Sequence, residues 1–116
     1  MRSCSELPGG LFSPLSETAT NADLIRRLDP WRVLLVAPDR LGVLHDVIAT
    51  SRAAQAEDVR IDGVILSAPA MPDASTGTNA EELGRVSVPA VLAALPRGPV
   101  DPLNLDRVLR ILHLAE

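Results

Sequence analysis

The sequence has 116 residues, 47% of them hydrophobic and 22% charged, with a formal net charge of -4 and one cysteine. This length suits a single domain, and the globular mixture of residue types argues against wholesale disorder. The net negative charge and the scattered arginines argue against nucleic-acid binding, and no apolar stretch reaches membrane-spanning length. A lone cysteine and two separated histidines favour neither a disulfide nor a structural zinc site.

The sequence contains no lysine, because all eleven basic residues are arginine. Arginine stays protonated and is a poor nucleophile or proton shuttle. A phosphate-binding loop of the GxxxxGK(S/T) type is therefore absent from these residues, and so is any catalytic lysine. The start, MRSCSELPGG, lacks the apolar core of a secretory signal, which predicts a cytoplasmic protein.

The first predicted helix is short. Thr20 or Asn21 can cap it, it covers residues 22–28, and Asp29-Pro30 ends it. The residues before it, 1–20, are rich in glycine, proline, serine and threonine. They predict a loop-like amino-terminal segment.

A βα unit follows between Trp31 and Glu57. The continuous apolar run at residues 33–36 predicts a strand that is covered on both faces, as in a parallel sheet flanked by helices. Residues 37–40 predict a turn, and apolar residues then recur at helical spacing. Open α/β sheets bind ligands at such turns, where unpaired helical N–H groups favour anions.

A second strand is predicted at Gly63 to Ser67, and the polar residues 71–77 predict a turn after it. Thr78 or Asn79 can cap a short helix that runs through Val86. Glu81 lies three residues beyond Thr78, which is the spacing of a capping box.

The last predicted elements are a strand at residues 90–95 and a helix that starts near Pro102, with an apolar stripe of Leu105, Val108, Leu109 and Leu112. Strands that alternate with helices predict parallel pairing. We therefore expect one α/β domain over residues 21–116, a three-layer sandwich with a short parallel sheet. The open edges of so small a sheet predict a homodimer or another partner chain.

Two segments carry a family resemblance: ELPGGLFSPLSETATNADL, which starts at Glu6, and VLLVAPDRLGVLHDVIATSRAAQAEDVRIDGVILSAP, which starts at Val33. Together they resemble the carboxyl-terminal half of dethiobiotin synthetases, from Glu6 to about Pro96. The resemblance implies a P-loop NTPase-like fold. It also implies a homodimeric, cytoplasmic enzyme of biotin synthesis that uses ATP and Mg²⁺ to close a cyclic urea from 7,8-diaminopelargonate and carbon dioxide.

The resemblance implies nucleotide-binding positions in three loops. Glu6 falls on an acidic magnesium ligand, and Gly9 belongs to a glycine pair that lets the backbone approach a phosphate closely. Ser67-Ala68 fall on a pair that reads the adenine ring, and residues 96–98 on a loop that closes over it. The implied nucleotide-binding residues are Glu6, Gly9, Ser67, Ala68, Pro96, Arg97 and Gly98.

The resemblance also implies a substrate site. Gly42, Val43, Leu44 and His45 fall on a turn whose helix amino terminus holds the carboxylate of the small-molecule substrate across the dimer interface. Helix N–H groups account for such a site without any special side chain. Where the family has asparagine and aspartate to read the base, Ser67 and Ala68 offer fewer hydrogen bonds, which predicts weak base selectivity.

The family's phosphate loop and catalytic lysines belong to an amino-terminal half to which none of these residues corresponds. We therefore expect a partial or split form that is inactive alone and works with a chain carrying the phosphate loop. One alternative is a non-catalytic binding or scaffold module with the same fold. Another is a receiver-type domain in which Asp39 ends a strand as a phosphoacceptor.

Overall fold

The computed structural model describes residues 4–86, 88–98 and 110. In chain order these residues form α1 (Asn21–Leu28), β1 (Leu34–Pro38), α2 (Val43–Ala56), β2 (Gly63–Ser67), α3 (Asn79–Leu83) and β3 (Val91–Leu95). The final helix predicted near Pro102 lies outside the described residues. Among the described residues, no helix is long and apolar enough to cross a membrane.

The three strands form one parallel sheet in the order β1-β2-β3. Leu34 pairs with Gly63 and Pro38 with Ser67, and Ser67 in turn pairs with Leu95. The expected parallel pairing and the α/β class are confirmed. Because all three strands point the same way, their carboxyl ends meet at one edge of the sheet, here called the carboxyl edge.

Helices α2 and α3 pack on the same face of the sheet, and their apolar side chains form the main core with it. Leu66 on β2 is fully buried, which stabilises the fold by about 1.5–3 kcal/mol relative to exposure. The buried members of this core are Ala37, Val43, Val47, Val64, Leu66 and Leu83.

The prediction that β1 is covered on both faces is wrong. Val36 on β1 is 62% exposed, whereas its partner Ile65 on β2 is 6% exposed. The described helices cover one face, and β1 is an edge strand. A continuous apolar run therefore does not by itself imply burial on both faces, because a strand at the edge of the sheet can carry one too.

Two predicted boundaries differ from the structure. The turn predicted at residues 37–40 starts later, because Ala37 and Pro38 still pair with β2. Pro38 is tolerated at the last position of an edge strand, where its missing N–H breaks no ladder. Helix α3 ends at Leu83 rather than Val86, since the N–H groups of Arg85 and Val86 bond three residues back instead of four.

Helix α1 packs against the carboxyl end of α2 in a second apolar cluster around Ala22, Ala54 and Val59. Thr20 is its N-cap, as predicted, and Asp29 in the left-handed conformation ends it. Arg26 Nη1 donates to the Glu57 carbonyl oxygen at 2.7 Å and contacts its carboxylate at 3.1 Å. The helix is thus fastened to the end of α2 by both apolar and polar contacts.

The pairing of β2 with β3 contains an irregularity. Val64 pairs with Val91 and Ile65 with Ala93, so Leu92 is skipped in the ladder. A Cβ atom added to Gly63 would lie 2.7 Å from Leu92 Cγ. The Leu92 side chain of β3 therefore lies against the backbone of β2 at Gly63, and any side chain at residue 63 would force Leu92 to move.

Candidate functional site at the carboxyl edge

The structure brings two of the three predicted loop groups together at the carboxyl edge. The Ala68 N–H donates to the Leu95 carbonyl at 2.9 Å, and the Asp39 N–H donates to the Ser67 carbonyl at 2.8 Å. These bonds extend the pairing by one residue beyond β1 and by one beyond β2. Ser67 and Ala68 therefore lie beside the loop 96–98, and the turn that opens α2 starts on the other side of Ser67.

Asp39 is the centre of a buried polar network that holds this turn. Its side chain is buried, and its carboxylate accepts from Asn79 Nδ2 at 2.8 Å and from the Gly77 N–H at 3.0 Å. The Asp39 carbonyl accepts from the Thr76 hydroxyl at 2.9 Å. Both carboxylate oxygens bond to protein donors, which speaks against the receiver-type alternative, since a phosphoacceptor needs an accessible oxygen.

A second carboxylate, that of Asp73, contacts the same turn from the segment 71–77. Its Oδ2 accepts from the Leu41 N–H at 2.8 Å, and its Oδ1 accepts from the Ser75 hydroxyl at 2.6 Å and the Ser75 N–H at 2.8 Å. These donors, the Leu41 N–H first, lower the pKa of Asp73 from 3.8 to about 2. Asp73 is therefore anionic at neutral pH.

The predicted substrate turn keeps unused donors. Val43 N–H bonds to the Arg40 carbonyl and Asp46 N–H to the Gly42 carbonyl, but the N–H groups of Gly42, Leu44 and His45 donate to no described residue. They stand at the amino end of a helix of 14 residues, where the helix dipole is positive. Such a turn can bind an anion through backbone groups alone.

The glycine loop is held in place by α1. Asn21 is buried and its Nδ2 donates to the carbonyls of Pro8 at 2.9 Å and Gly10 at 2.8 Å. Gly9 has φ +80°, and a Cβ there would lie 3.0 Å from Ser13 Cβ, so this position requires glycine. Asn21 Oδ1 is buried with no hydrogen-bond partner in the described part of the chain.

The described contacts place this loop beside α1 and the carboxyl end of α2, where Leu11 packs on the second cluster. No described contact joins Glu6 or Gly9 to the carboxyl edge. Glu6 is exposed, and among the described residues no three side chains of His, Cys, Asp or Glu lie close enough together to hold a metal ion. The roles implied for Glu6 and Gly9 stay predictions.

The polar groups available to a base at the carboxyl edge are few. Ala68 uses its N–H within the sheet, which leaves its carbonyl and the exposed Ser67 hydroxyl. Pro96, Arg97 and Gly98 are all exposed. With these groups, a nucleotide could be bound mainly by backbone atoms and by the guanidinium of Arg97.

A family model described as an AAA domain matches residues 8–100. The chain belongs to this AAA domain family. The match agrees with the α/β class and with the P-loop NTPase-like fold expected from the sequence. No solved structure gave a significant match.

Curated relatives confirm the resemblance to dethiobiotin synthetases. The ATP-dependent dethiobiotin synthetase BioD of Rhodopirellula baltica is 47% identical over 103 residues, which cover 79% of this chain and 40% of the relative. Enzymes of the same name from Caulobacter and from Gloeobacter violaceus are 42% and 44% identical over 59 and 61 residues, 51% of this chain and 25% of each relative. The matched part of this chain thus spans two fifths or less of the length of each of these relatives.

The sequence alone does not predict the residues that organise the turn. It predicts Asp39 as a possible phosphoacceptor, Asn79 as a helix cap and Asp73 as part of a polar turn. The available signal was the buried position of an acidic residue directly after a strand. A buried carboxylate needs donors, and the nearest candidates lay some 40 residues on, at the start of the next helix.

Proposed function

We propose that these residues form the carboxyl-terminal part of an ATP-dependent dethiobiotin synthetase-like enzyme. The single observation that supports this most is the assembly of the α2 turn, Ser67-Ala68 and the loop 96–98 at one edge of a parallel sheet. That edge is where open α/β sheets bind ligands. The names of the relatives supply the reaction class, ATP-dependent dethiobiotin synthesis.

In this proposal the N–H groups of Gly42, Leu44 and His45, which donate to no described residue, bind the carboxylate of a diaminopelargonate-like substrate. Bound ATP would supply an activated phosphoryl group for ring closure. The part played by the described residues is positional: Ser67, Ala68 and residues 96–98 border the base, and Arg97 neutralises phosphate charge. Mg²⁺ is commonly bound by one or two carboxylates together with phosphates, and the exposed Glu6 carboxylate suits that mode.

The phosphate-binding loop would come from residues outside this sequence, on the same or on a separate chain. We propose the outer edge of β1 as the place where they join the sheet. The supporting observation is that Val36 is 62% exposed on an edge strand, whereas Ile65 beside it is 6% exposed. A homodimer contact across the α2 turn and a cytoplasmic location remain parts of the same proposal.

The direct test is ADP release that depends on both 7,8-diaminopelargonate and bicarbonate. The chain would be assayed alone and mixed with a chain that carries a GxxxxGK(S/T) loop. We expect activity only in the mixture. If neither sample binds ATP in calorimetry nor releases ADP, the enzymatic proposal is wrong.

A matched pair of variants locates the nucleotide. Arg97→Gln should weaken ATP binding by about tenfold, because a guanidinium that contacts phosphate is lost. The control Arg52→Gln removes the same charge from an exposed position near the other end of α2. Because the proposal gives Arg52 no contact with phosphate, the ATP affinity should stay within twofold of the wild type. Equal effects of both variants would mean that only net charge matters and that residues 96–98 do not border the nucleotide.

The second candidate function is a non-catalytic binding or scaffold module with the same fold. It is favoured by two N–H groups already in use: Ala68 bonds to Leu95 and Leu41 bonds to Asp73. Its signature would be self-association in analytical ultracentrifugation without any ATP affinity. ATP binding by the wild-type chain would exclude it.

A further inference from the structure

One carboxylate of the protein already bonds to the turn at which we place the substrate carboxylate. Asp73 Oδ2 accepts the Leu41 N–H at 2.8 Å, and Leu41 directly precedes Gly42, the first residue of the proposed substrate site. Asp73 therefore makes the type of hydrogen bond that a ligand carboxylate would make to this turn. Neither Asp73 nor any other described residue accepts a hydrogen bond from the N–H groups of Gly42, Leu44 and His45.

The position of Asp73 is fixed from both sides. Ser75 bonds to its Oδ1 through the N–H and the hydroxyl, and the Asp73 N–H donates to Thr76 Oγ1 at 3.0 Å. Thr76 in turn donates to the carbonyl of the buried Asp39. The segment that carries Asp73 is thus tied to the end of β1, and its charge is held close to the turn.

We propose that Asp73 is a specificity-determining residue that sets the affinity of the α2 amino-terminal turn for anionic ligands. The proposal rests on the proposed function, which puts a ligand carboxylate at this turn. Asp73 accepts the Leu41 N–H and places a negative charge beside the three following N–H groups, which have no acceptor in the described part of the chain. A ligand carboxylate must either displace it or bind next to it, and both reduce anion affinity relative to a neutral ligand of the same shape.

The test is a titration of the wild type and of Asp73→Asn with hexanoate, followed through the amide resonances of Gly42, Leu44 and His45. Asparagine removes the charge and keeps one acceptor oxygen, which can take the Leu41 N–H, whereas its NH2 group cannot accept the bonds that Ser75 donates to Asp73 Oδ1. A change in loop geometry should alter the binding of charged and neutral ligands alike, so a neutral ligand is the control for it. Asp73→Asn should bind hexanoate about fivefold more tightly, the effect of one unit charge roughly 4 Å away in water. The neutral hexanamide should bind both proteins within about twofold.

The matched control is Asp58→Asn, which removes the same charge at the opposite end of α2. Asp58 is exposed and has φ +55°, a conformation that asparagine also adopts readily. Its hexanoate affinity should equal that of the wild type. The gain in Asp73→Asn should also shrink at high salt, because exposed charges are screened.

The inference is overturned if Asp73→Asn binds hexanoate no better than the wild type, if hexanamide gains equally, or if Asp58→Asn gains as much. It is also overturned if Asp73→Asn shows no hexanoate binding at the turn. Turnover in the mixed-chain assay with an unchanged KM for diaminopelargonate in Asp73→Asn would overturn this inference alone. A gain in hexanoate affinity without turnover in any mixture would instead reject the enzymatic proposal and leave the role of Asp73 intact.

Discussion

Helices α1 and α3 open with nearly the same four residues and yet start in different ways. Residues 20–23 are Thr-Asn-Ala-Asp and residues 78–81 are Thr-Asn-Ala-Glu. At the start of α1, the Thr20 backbone is extended, with φ -114° and ψ 176°, and the Asp23 carboxylate accepts the Thr20 N–H at 2.7 Å. This reciprocal geometry is typical of a capping box.

At the start of α3 the same pattern is diverted by its surroundings. Thr78 has φ -107° and ψ -17°, and its hydroxyl donates to the Ser75 carbonyl at 2.8 Å. Glu81 forms an ion pair with Arg85 at 2.9 Å instead of reaching back to the cap. The difference teaches that a start signal fixes where a helix begins, whereas the neighbouring loop decides which hydrogen bonds satisfy it.

The asparagine that follows each threonine is buried in both helices, and each fastens a distant loop. Asn79 donates to the Asp39 carboxylate at the carboxyl edge, and Asn21 donates to two carbonyls of the glycine loop. The acceptors differ, since Asp39 is a buried charge whereas Pro8 and Gly10 are exposed. The two asparagines should therefore differ in what their loss costs.

Asn79→Ala should have the largest effect, lowering the free energy of unfolding by about 3 kcal/mol, because it leaves a buried carboxylate short of one donor. Chemical denaturation followed by circular dichroism measures it. The control is a double-mutant cycle with Asp39→Ala, in which the second substitution should cost much less than it does alone. Additive costs would show that the two side chains do not stabilise each other.

Asn21→Ala should cost less, about 1 kcal/mol. Pro8 and Gly10 are exposed residues, so water can reach their carbonyls after the amide is removed, and the substitution also removes Asn21 Oδ1, which has no partner among the described residues. The same denaturation experiment applies, together with faster amide exchange at Gly10. A cost equal to that of Asn79→Ala would contradict the distinction between charged and neutral acceptors.

The three strands, their parallel pairing and the starts of α1 and α3 can be predicted from the sequence. They depend on apolar periodicity and on Thr, Asn and Pro at helix ends. The sequence misplaced the capping box at Thr78 and Glu81, since spacing alone cannot show that Ser75 and Arg85 compete for the two side chains. The strand followed by a helix predicts a turn at residues 37–40, whereas the positions 42–45 follow from the family resemblance. The acidic residue directly after β1 was a signal that donors are needed, but the Asp39–Asn79 contact spans 40 residues, so no local pattern identifies Asn79 as the donor.

Each of the two helix-start regions also contains an aspartate whose pKa is lowered by a backbone N–H. Asp23 has a pKa lowered by the Thr20 N–H, and Asp73 has one lowered to about 2, chiefly by the Leu41 N–H. An aspartate with a lowered pKa stabilises the folded state at pH values above its ordinary pKa, which is 3.8 for Asp73. This contribution to the free energy of unfolding is lost as the pH falls through the lowered pKa, about 2 for Asp73. Carboxyl carbon NMR titration should give a midpoint near 2 for Asp73.

Ser75→Ala removes a hydroxyl that donates to Asp73 and should raise that midpoint. Ser67→Ala removes a hydroxyl that has no described contact with Asp73 and should leave it unchanged. If both variants behave alike, the Ser75 hydroxyl does not help to hold the Asp73 charge.

The smallest expected difference concerns the acidic residues of the two helix starts. Asp23→Ala should lower the thermal midpoint, because the Thr20 N–H loses its acceptor. Glu81→Ala should leave it nearly unchanged, since an exposed ion pair with Arg85 contributes little. Equal shifts in thermal unfolding would mean that Glu81 caps α3 in solution after all.

The close approach of Gly63 and Leu92 makes these two positions dependent on each other. A side chain gained at residue 63 has room only where residue 92 becomes smaller, as in Gly63→Ala combined with Leu92→Ala. In a collection of functional variants the two sites should therefore change as a pair. Such covariation would reveal, from sequences alone, the register of β2 and β3 at the irregularity in their pairing.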